Sequence, residues 1–286
     1  MAIFSYKGIH YHVAQWGSKE NPPLVLLHGF TQSAQTWEAV AQELAQTRFV
    51  IAPDFVGHGK SDRPTEPASY EMGAVLESLA ALLRWYWIER ADVLGYSMGG
   101  RIALAFAIAR PHRVASLVLE SAGLGPSTVE QHEAMLRRDF ALIEKLLEGD
   151  IEAFMDEWEA QPVFDSQRRL PEEARRRLRA QRCANDTHAL ALSIRGTGQH
   201  TMPDLSARMG GLPMPVLYIA GILDRRYLRI AEKLQHLPGI SCVLLNAGHN
   251  THLEAPEAFC RQVRSFLEES PLSGKQTPRP ARLDAT

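Results

Sequence analysis

The nine residues Val93–Arg101 constrain the possible fold more than any other stretch of this chain. They place a Gly-x-Ser-x-Gly pattern, Gly95-Tyr-Ser97-Met-Gly99, between an apolar run and an Ala-rich segment of high helix propensity. The pattern predicts a strand, a sharp turn and a helix, with Ser97 on a strained backbone and its Oγ pointing outward. A glycine-rich turn without chemistry fits the same five residues, so the rest of the chain must supply a base and an acid.

Short apolar runs alternate with segments of helical periodicity on both sides of this pattern. A hairpin over Ile3–Tyr6 and His10–Gln15 is predicted first. Further strands are predicted at 24–27, 48–52, 91–95, 115–120, 215–221 and 241–245. Strands that alternate with helices at this spacing predict an α/β fold with a mostly parallel central sheet flanked by helices.

The alternation stops between residues 123 and 212, where only helical segments are predicted. We interpret 123–212 as a helical cap inserted over the C-terminal edge of the sheet, where it would exclude water and shape a pocket. The core then consists of a first part, 1–122, and a second part, 213–269. Residues 270–286 are rich in proline and polar residues, which predicts a disordered tail.

Two further polar residues follow predicted strands and can complete a catalytic triad with Ser97. Asp224 follows the strand at 215–221, and His249 follows the strand at 241–245. Asp224 would orient the imidazole of His249, which would take the proton from Ser97 Oγ. His252 is the rival base. We favour His249 because Gly248 precedes it and permits a tight loop that projects the ring.

The backbone N–H groups of Phe30 and Met98 are the candidate donors of an oxyanion hole. Met98 lies at the predicted N-terminus of a helix, where an N–H group can stabilise a negative charge. Phe30 follows His28-Gly at the end of a buried strand, the position from which this kind of site recruits its second donor. The alternative for Phe30 is an ordinary turn that ends a strand.

Several arginines near the predicted triad indicate what kind of substrate the site binds. Arg101 lies one helical turn beyond Ser97, Arg195 lies near the end of the cap, and Arg226 follows the triad acid. Arginines around a pocket favour bidentate recognition of carboxylates, so we predict a small-molecule polycarboxylate substrate. The run Arg175–Arg179 is better explained as a solvated helix face balanced by neighbouring glutamates.

Composition gives no indication of a macromolecular partner. The formal net charge of -2 offers no case for nucleic acid, and no segment approaches the length of apolar chain that spans a membrane. The three cysteines, Cys183, Cys242 and Cys260, are scattered and indicate a reducing compartment. We therefore predict a cytoplasmic protein, and the sequence leaves its oligomeric state open.

No cofactor or metal is predicted. His249-x-x-His252-x-Glu254 lacks the spacing of known zinc ligand sets. The Gly57-His-Gly59 segment is an incomplete dinucleotide fingerprint, because no helix begins at it. An aspartate nucleophile is excluded because the Gly-x-Ser-x-Gly pattern carries serine.

Taken together, these stretches resemble the α/β-hydrolase superfamily over about 3–269. Within it, the chain resembles the family of 2-succinyl-6-hydroxy-2,4-cyclohexadiene-1-carboxylate synthases of menaquinone and phylloquinone biosynthesis. The resemblance rests on Leu27-His-Gly-Phe30-Thr31-x-Ser33, Gly57-His-Gly-Lys-Ser61, Gly95-Tyr-Ser-Met-Gly-Gly-Arg101, Leu119-Glu120-Ser121, Trp158-Glu-x-Gln161-Pro-x-Phe164, Arg195-Gly-Thr-Gly198 and Ala247-Gly-His249-Asn. The chain departs from the usual pattern at Arg226, where a lysine is frequent, and in the residue order after Glu120.

The resemblance implies a carbon–oxygen lyase that eliminates pyruvate from an enolpyruvyl cyclohexene tricarboxylate. Ser97 would then abstract a ring proton instead of attacking a carbonyl. By the same resemblance Tyr96, Arg101, Trp158 and Arg195 contact the substrate. The motif residues of the family thus extend the candidate site from the core into the cap.

Two other functions use the same residues. A serine hydrolase that cleaves a carboxylated ester or a carbon–carbon bond needs the same triad, and only the pocket distinguishes it from the lyase. A non-catalytic binding protein on this scaffold would be marked by a broken triad, whereas all three triad residue types are present in this chain.

Overall fold

The apolar runs of the sequence form a central sheet in the computed structural model, which describes residues 1–272. Its eight strands are β1 (Ala2–Tyr6), β2 (Ile9–Trp16), β3 (Pro23–Leu27), β4 (Phe49–Pro53), β5 (Ala91–Tyr96), β6 (Val114–Glu120), β7 (Val216–Gly221) and β8 (Ile240–Leu245). They lie in the order β1-β2-β4-β3-β5-β6-β7-β8. β2 pairs antiparallel with β1 and β4, and the remaining neighbours pair in parallel. The predicted α/β fold with a mostly parallel sheet is confirmed.

Helices cover both faces of the sheet. The α-helices of residues 1–272 are α1 (Glu38–Leu44), α2 (Met72–Trp85), α3 (Met98–Ala109), α4 (Val129–Leu147), α5 (Ile151–Glu159), α6 (Glu172–Cys183), α7 (Thr187–Thr197), α8 (Arg225–Leu234), α9 (Thr251–Glu254) and α10 (Pro256–Glu268). Buried side chains of α2, α3 and α8 pack on one face, and those of α1 and α10 pack on the other. On β3, Val25 and Leu27 face the first group while Leu24 and Leu26 face the second. Burial on both faces explains why this strand is continuously apolar.

The chain between β6 and β7 forms a helical layer. Within residues 1–272, no strand falls in this interval, which contains α4, α5, α6 and α7. These helices enclose a small core of their own, with Leu146, Phe154, Trp158 and Leu190 among its members, and Phe30 of the main domain packs against it. The cap boundaries at 123 and 212 stay a prediction. The predicted disordered tail lies outside the described residues except for 270–272.

The turn between β5 and α3 is tight because two glycines remove side-chain bulk. A Cβ on Gly95 would lie 2.3 Å from Gly99 O, and a Cβ on Gly99 would lie 2.2 Å from Leu27 O. Neither approach is possible for a larger residue without moving the backbone. Between them Ser97 has a φ of 51° and a ψ of -106°, a strained conformation for a residue with a side chain.

We expect Gly99→Ala to lower the free energy of unfolding by about 1–3 kcal/mol, because its methyl group would displace the end of β3. Gly73→Ala is a matched control, since Gly73 is also the second residue of a helix and a Cβ there meets nothing within 4 Å. Helix propensity predicts that Gly73→Ala raises stability by up to about 1 kcal/mol. Urea denaturation of the two variants measures both effects, and equal stabilities would contradict the role assigned to Gly99.

Candidate active site

The structure brings Ser97, His249 and Asp224 together at the carboxyl ends of three parallel strands. Ser97 lies between β5 and α3, Asp224 precedes α8, and His249 follows β8. His249 Nε2 lies 3.0 Å from Ser97 Oγ, and His249 Nδ1 lies 2.7 Å from Asp224 Oδ2. With its proton on Nδ1, the imidazole donates to Asp224 and accepts from the serine hydroxyl. This geometry permits His249 to remove the proton from Ser97 while Asp224 stabilises the resulting imidazolium.

His252, the rival base, has a different set of partners. Its Nδ1 lies 2.7 Å from Oε2 of the fully buried Glu120, which also accepts from Thr251 Oγ1 and from the His252 backbone N–H. The ring stacks on Trp37 with 4.0 Å between centroids. His252 therefore anchors the segment that follows His249, and its geometry gives it no part in the proton transfer at Ser97.

The three potential metal ligands of this loop point to separate partners. His249 faces the triad, His252 faces the interior, and Glu254 accepts from the backbone N–H groups of Gly248 and Asn250 at 2.6 and 3.3 Å. Residues 1–272 contain no group of three or more His, Cys, Asp or Glu side chains placed to hold a metal ion. Glu254 instead stabilises the turn that presents His249.

Both residues that carry the candidate oxyanion donors, Phe30 and Met98, line the cavity that contains Ser97. Met98 is the first residue of α3, where the helix dipole is positive. The buried His28 fixes the loop that carries Phe30, because its Nε2 accepts from the Phe55 N–H at 3.0 Å. Burial lowers the pKa of His28, so this acceptor stays neutral. The use of the two N–H groups as an oxyanion hole remains a prediction.

A cavity of about 620 Å³ lies between the triad and the cap, within the range of ordinary ligand sites. Tyr96 and Trp158 both line it. The Tyr96 ring lies 5.3 Å from the ring of His249, and burial raises the pKa of Tyr96 well above its ordinary value. Trp158 packs edge-on against Phe30 at 5.3 Å, and its buried indole N–H has no hydrogen-bond acceptor among residues 1–272. The site thus joins apolar walls to a few fixed polar atoms.

Arg101 lies in this cavity and connects the core to the cap. Only 9% of its surface is exposed, and Nη1 donates to the carbonyl oxygens of Thr197 and Gly198 at 2.7 and 2.9 Å. No carboxylate of residues 1–272 forms an ion pair with it. Burial lowers the pKa of Arg101 to about 10, so the side chain is still a cation at neutral pH.

The other two predicted arginines lie in different environments. Arg226 lines the cavity, and its Nη2 donates to Gln199 Oε1 at 2.9 Å. Arg195 is exposed on α7 and is not among the residues that line the cavity. We therefore leave Arg195 out of the site proposed below, because the phase of α7 turns it away from Ser97.

The structure adds three cap arginines that we did not select from the sequence. Arg138, Arg169 and Arg182 line the cavity, and Arg182 is held by Glu159 at 2.8 Å. For two of them, Arg138 and Arg182, the helical spacing from apolar residues could have indicated that they face inward. Arg138 lies four residues before Leu142, which lines the same cavity, and Arg182 lies four residues after the buried Leu178.

Comparisons with known proteins agree with the fold. The family model of the alpha/beta hydrolase fold matches residues 22–256. A Bacillus subtilis (strain 168) protein with a provisional assignment as a 2-succinyl-6-hydroxy-2,4-cyclohexadiene-1-carboxylate synthase is 36% identical over 262 residues, which cover 91% of this chain and 95% of that protein. The synthase of the same name from Yersinia pseudotuberculosis serotype O:1b (strain IP 31758) is 31% identical, over 91% of this chain and 90% of its own.

Solved structures of similar proteins also have this fold. The MenH protein from S. aureus matches with a TM-score of 0.85 and 31% identity, over 91% of this chain and 98% of that chain. A thermophilic esterase from Thermogutta terrifontis, solved with malate bound, matches with a TM-score of 0.79 and 25% identity, over 93% and 96% of the two chains. Both MenH and an esterase thus share the overall fold of this chain.

The two histidines can be separated by the reactivity of Ser97 towards a fluorophosphonate. We expect His249→Ala to slow labelling of Ser97 on the order of 10³-fold or more, because among residues 1–272 no other basic side chain forms a hydrogen bond with its hydroxyl. His252→Gln should keep labelling within about tenfold of the unmodified protein while lowering the free energy of unfolding by about 3–5 kcal/mol, since it breaks a buried pair. Normal labelling of His249→Ala would contradict the triad assignment.

Proposed function

This chain belongs to the α/β-hydrolase fold family and to its 2-succinyl-6-hydroxy-2,4-cyclohexadiene-1-carboxylate synthases, and we propose that it forms that product by eliminating pyruvate. The substrate is 2-succinyl-5-enolpyruvyl-6-hydroxy-3-cyclohexene-1-carboxylate, and the reaction is a step of menaquinone or phylloquinone biosynthesis. We further propose that the enzyme is cytoplasmic, needs no cofactor and acts on a small polycarboxylate.

One observation carries the choice of a lyase over a simple esterase. Arg101 is a buried cation without a carboxylate partner in the described chain, one helical turn from Ser97. A buried charge without a counter-ion is costly, and that cost is relieved when an anionic ligand binds beside it. The substrate bears three carboxylates, whereas a neutral ester would leave Arg101 unpaired.

The chemistry needs a base near the ring and a stabiliser for an enolate. Ser97, with its proton passed to His249, would remove the ring proton beside the succinyl ketone. The C–H electron pair forms a ring double bond, the existing ring double bond shifts by one position, and the carbon–oxygen bond to the enolpyruvyl group breaks. The leaving enolate takes a proton and becomes pyruvate. The Phe30 and Met98 N–H groups would stabilise the ketone oxygen as negative charge develops on it.

The remaining cavity residues divide into apolar and anion-binding groups. Tyr96 and Trp158 would hold the ring, and the unpartnered Trp158 N–H is a donor for one substrate oxygen. Arg101, Arg138 and Arg226 would bind carboxylates. Nη1 of Arg101 is already used by the cap carbonyls, so Nε and Nη2 are the pair left for a bidentate contact.

The second candidate is a serine hydrolase of carboxylated esters or of carbon–carbon bonds. The observation that favours it is the triad itself, whose hydrogen-bond distances also suit nucleophilic attack on a carbonyl. The two functions differ in what Ser97 receives, a proton or an acyl group.

Incubation of the purified protein with the enolpyruvyl cyclohexene substrate tests the proposal. We expect pyruvate release, followed through a coupled lactate dehydrogenase assay, and a loss on the order of 10³-fold or more in Ser97→Ala. Absence of pyruvate release together with rapid hydrolysis of carboxylated aryl esters would establish the hydrolase instead.

The role of Arg101 can be tested with one variant that removes its charge and one that keeps the charge but lacks the guanidinium group. We expect Arg101→Ala to lower kcat/KM about 10²-fold or more, because a substrate carboxylate loses a buried cation. Arg101→Lys should recover only part of this loss, since an ammonium group cannot make the bidentate contact. Thermal melts control for the lost contact with the cap, and wild-type kcat/KM in a folded Arg101→Ala variant would refute this role.

A further inference from the structure

A second cavity of about 700 Å³ lies beside the active-site cavity, between α4 of the cap and α8 of the core. The two cavities share four lining residues, Arg101, Arg138, Gln199 and Arg226. No residue of the triad lines the second cavity, so it is an adjoining chamber and not part of the catalytic centre.

The chamber is lined by an excess of positive charge. Arg226, Arg229 and Lys233 lie three and four residues apart on α8, so they share one face of that helix, and all three line the chamber. Arg101 and Arg138 add two cations from the shared wall. Against these five cations the lining contains one carboxylate, Asp204, which accepts from the backbone N–H of Ser206 at 2.9 Å.

Several exposed arginines elsewhere in the chain have an acidic partner. Arg176 and Arg177 on α6 each lie within 4 Å of Glu173, as the sequence predicted for a solvated helix face. Arg229 and Lys233 form no ion pair with any carboxylate of residues 1–272. Cations that repel one another around a concave surface raise the local concentration of anions.

The chamber also has apolar lining residues. Met202, Ile230 and Leu234 are among them. Apolar walls reduce the screening of the surrounding charges by water, and they suit the carbon skeleton of an organic anion better than a fully hydrated inorganic ion. The lining therefore matches a small organic molecule that bears several carboxylates.

We propose that this chamber is a cationic vestibule that binds polycarboxylates on their way to Ser97. Arg229 and Lys233 collect the anion at the outer end, and Arg226, Arg138 and Arg101 receive it where the two cavities meet. That the anion is the enolpyruvyl substrate rests on the function proposed above. The binding of small tricarboxylates to the chamber does not depend on it.

The test removes the two outer charges with Arg229→Gln/Lys233→Gln. The matched control, Arg176→Gln/Arg177→Gln, removes two charges of the same sign from α6, and neither of these residues lines either cavity. The probe is propane-1,2,3-tricarboxylate, titrated calorimetrically at an ionic strength of about 0.01 M, where the Debye length is longest. We expect the Kd to rise about tenfold in the α8 variant and to stay within about twofold in the control.

Turnover gives a second measurement. The kcat/KM for pyruvate release should fall about tenfold in the α8 variant at about 0.01 M salt, and the difference from wild type should close near 1 M salt. Equal behaviour of the two double variants in both assays overturns the vestibule. A wild type that releases no pyruvate, with tricarboxylate binding weakened only in the α8 variant, refutes the proposed function and leaves the vestibule standing.

Discussion

The strained backbone at Ser97 is the constraint on which the rest of the site depends. A positive φ at a residue with a side chain costs about 1–3 kcal/mol and persists only where the surrounding structure imposes it. Thr31 and Ser121, which follow the neighbouring strands β3 and β6, also have positive φ values of 66° and 46°. Three adjacent strands therefore end in strained turns at the same edge of the sheet. Gly99 lies against the end of β3, so the start of the helix after Ser97 packs directly on the strand that leads into the turn at Thr31.

Buried polar contacts fix the other side of the triad. Glu120 ends β6 and accepts from Thr251 and His252, which begin the short helix after His249. A buried carboxylate with several donors is held in place, because losing any one of them leaves a buried acceptor short of a hydrogen bond. The position of His249 is thus set by a contact between β6 and α9 as much as by Asp224. Such a support also explains why a second histidine lies so close to the catalytic one without sharing its chemistry.

The strands and the triad could be predicted from local sequence. The arginines of the cavity and the buried support of the triad could not, because they depend on contacts between distant segments. The strands were predictable because strands buried on both faces are continuously apolar, as in Leu24–Leu27, and the triad was predictable because its members follow three such strands. The arginines depend on helix phase and on how the cap is seated, which linear proximity to a motif does not encode. Arg195 adjoins the buried Ile194 yet is exposed, whereas Arg182, in an arginine-rich helix, is 3% exposed and faces the cavity. The support given by Glu120 to His252 was also out of reach, since 132 positions separate the two residues.

Arg101 shows how the cap and the chemistry are coupled. One guanidinium nitrogen, Nη1, donates to the carbonyl oxygens of Thr197 and Gly198. These lie at the C-terminal end of α7, where the helix dipole is negative. The same cation therefore holds the cap over Ser97 and presents its remaining N–H groups to the cavity. A substrate carboxylate can bind those groups without disturbing the hydrogen bonds to the cap, because the two contacts use different nitrogens of the planar guanidinium. A lysine has three N–H donors on one nitrogen, and two of them on the cap carbonyls would leave only one for a carboxylate. A bidentate contact with a polycarboxylate substrate therefore favours arginine at this position.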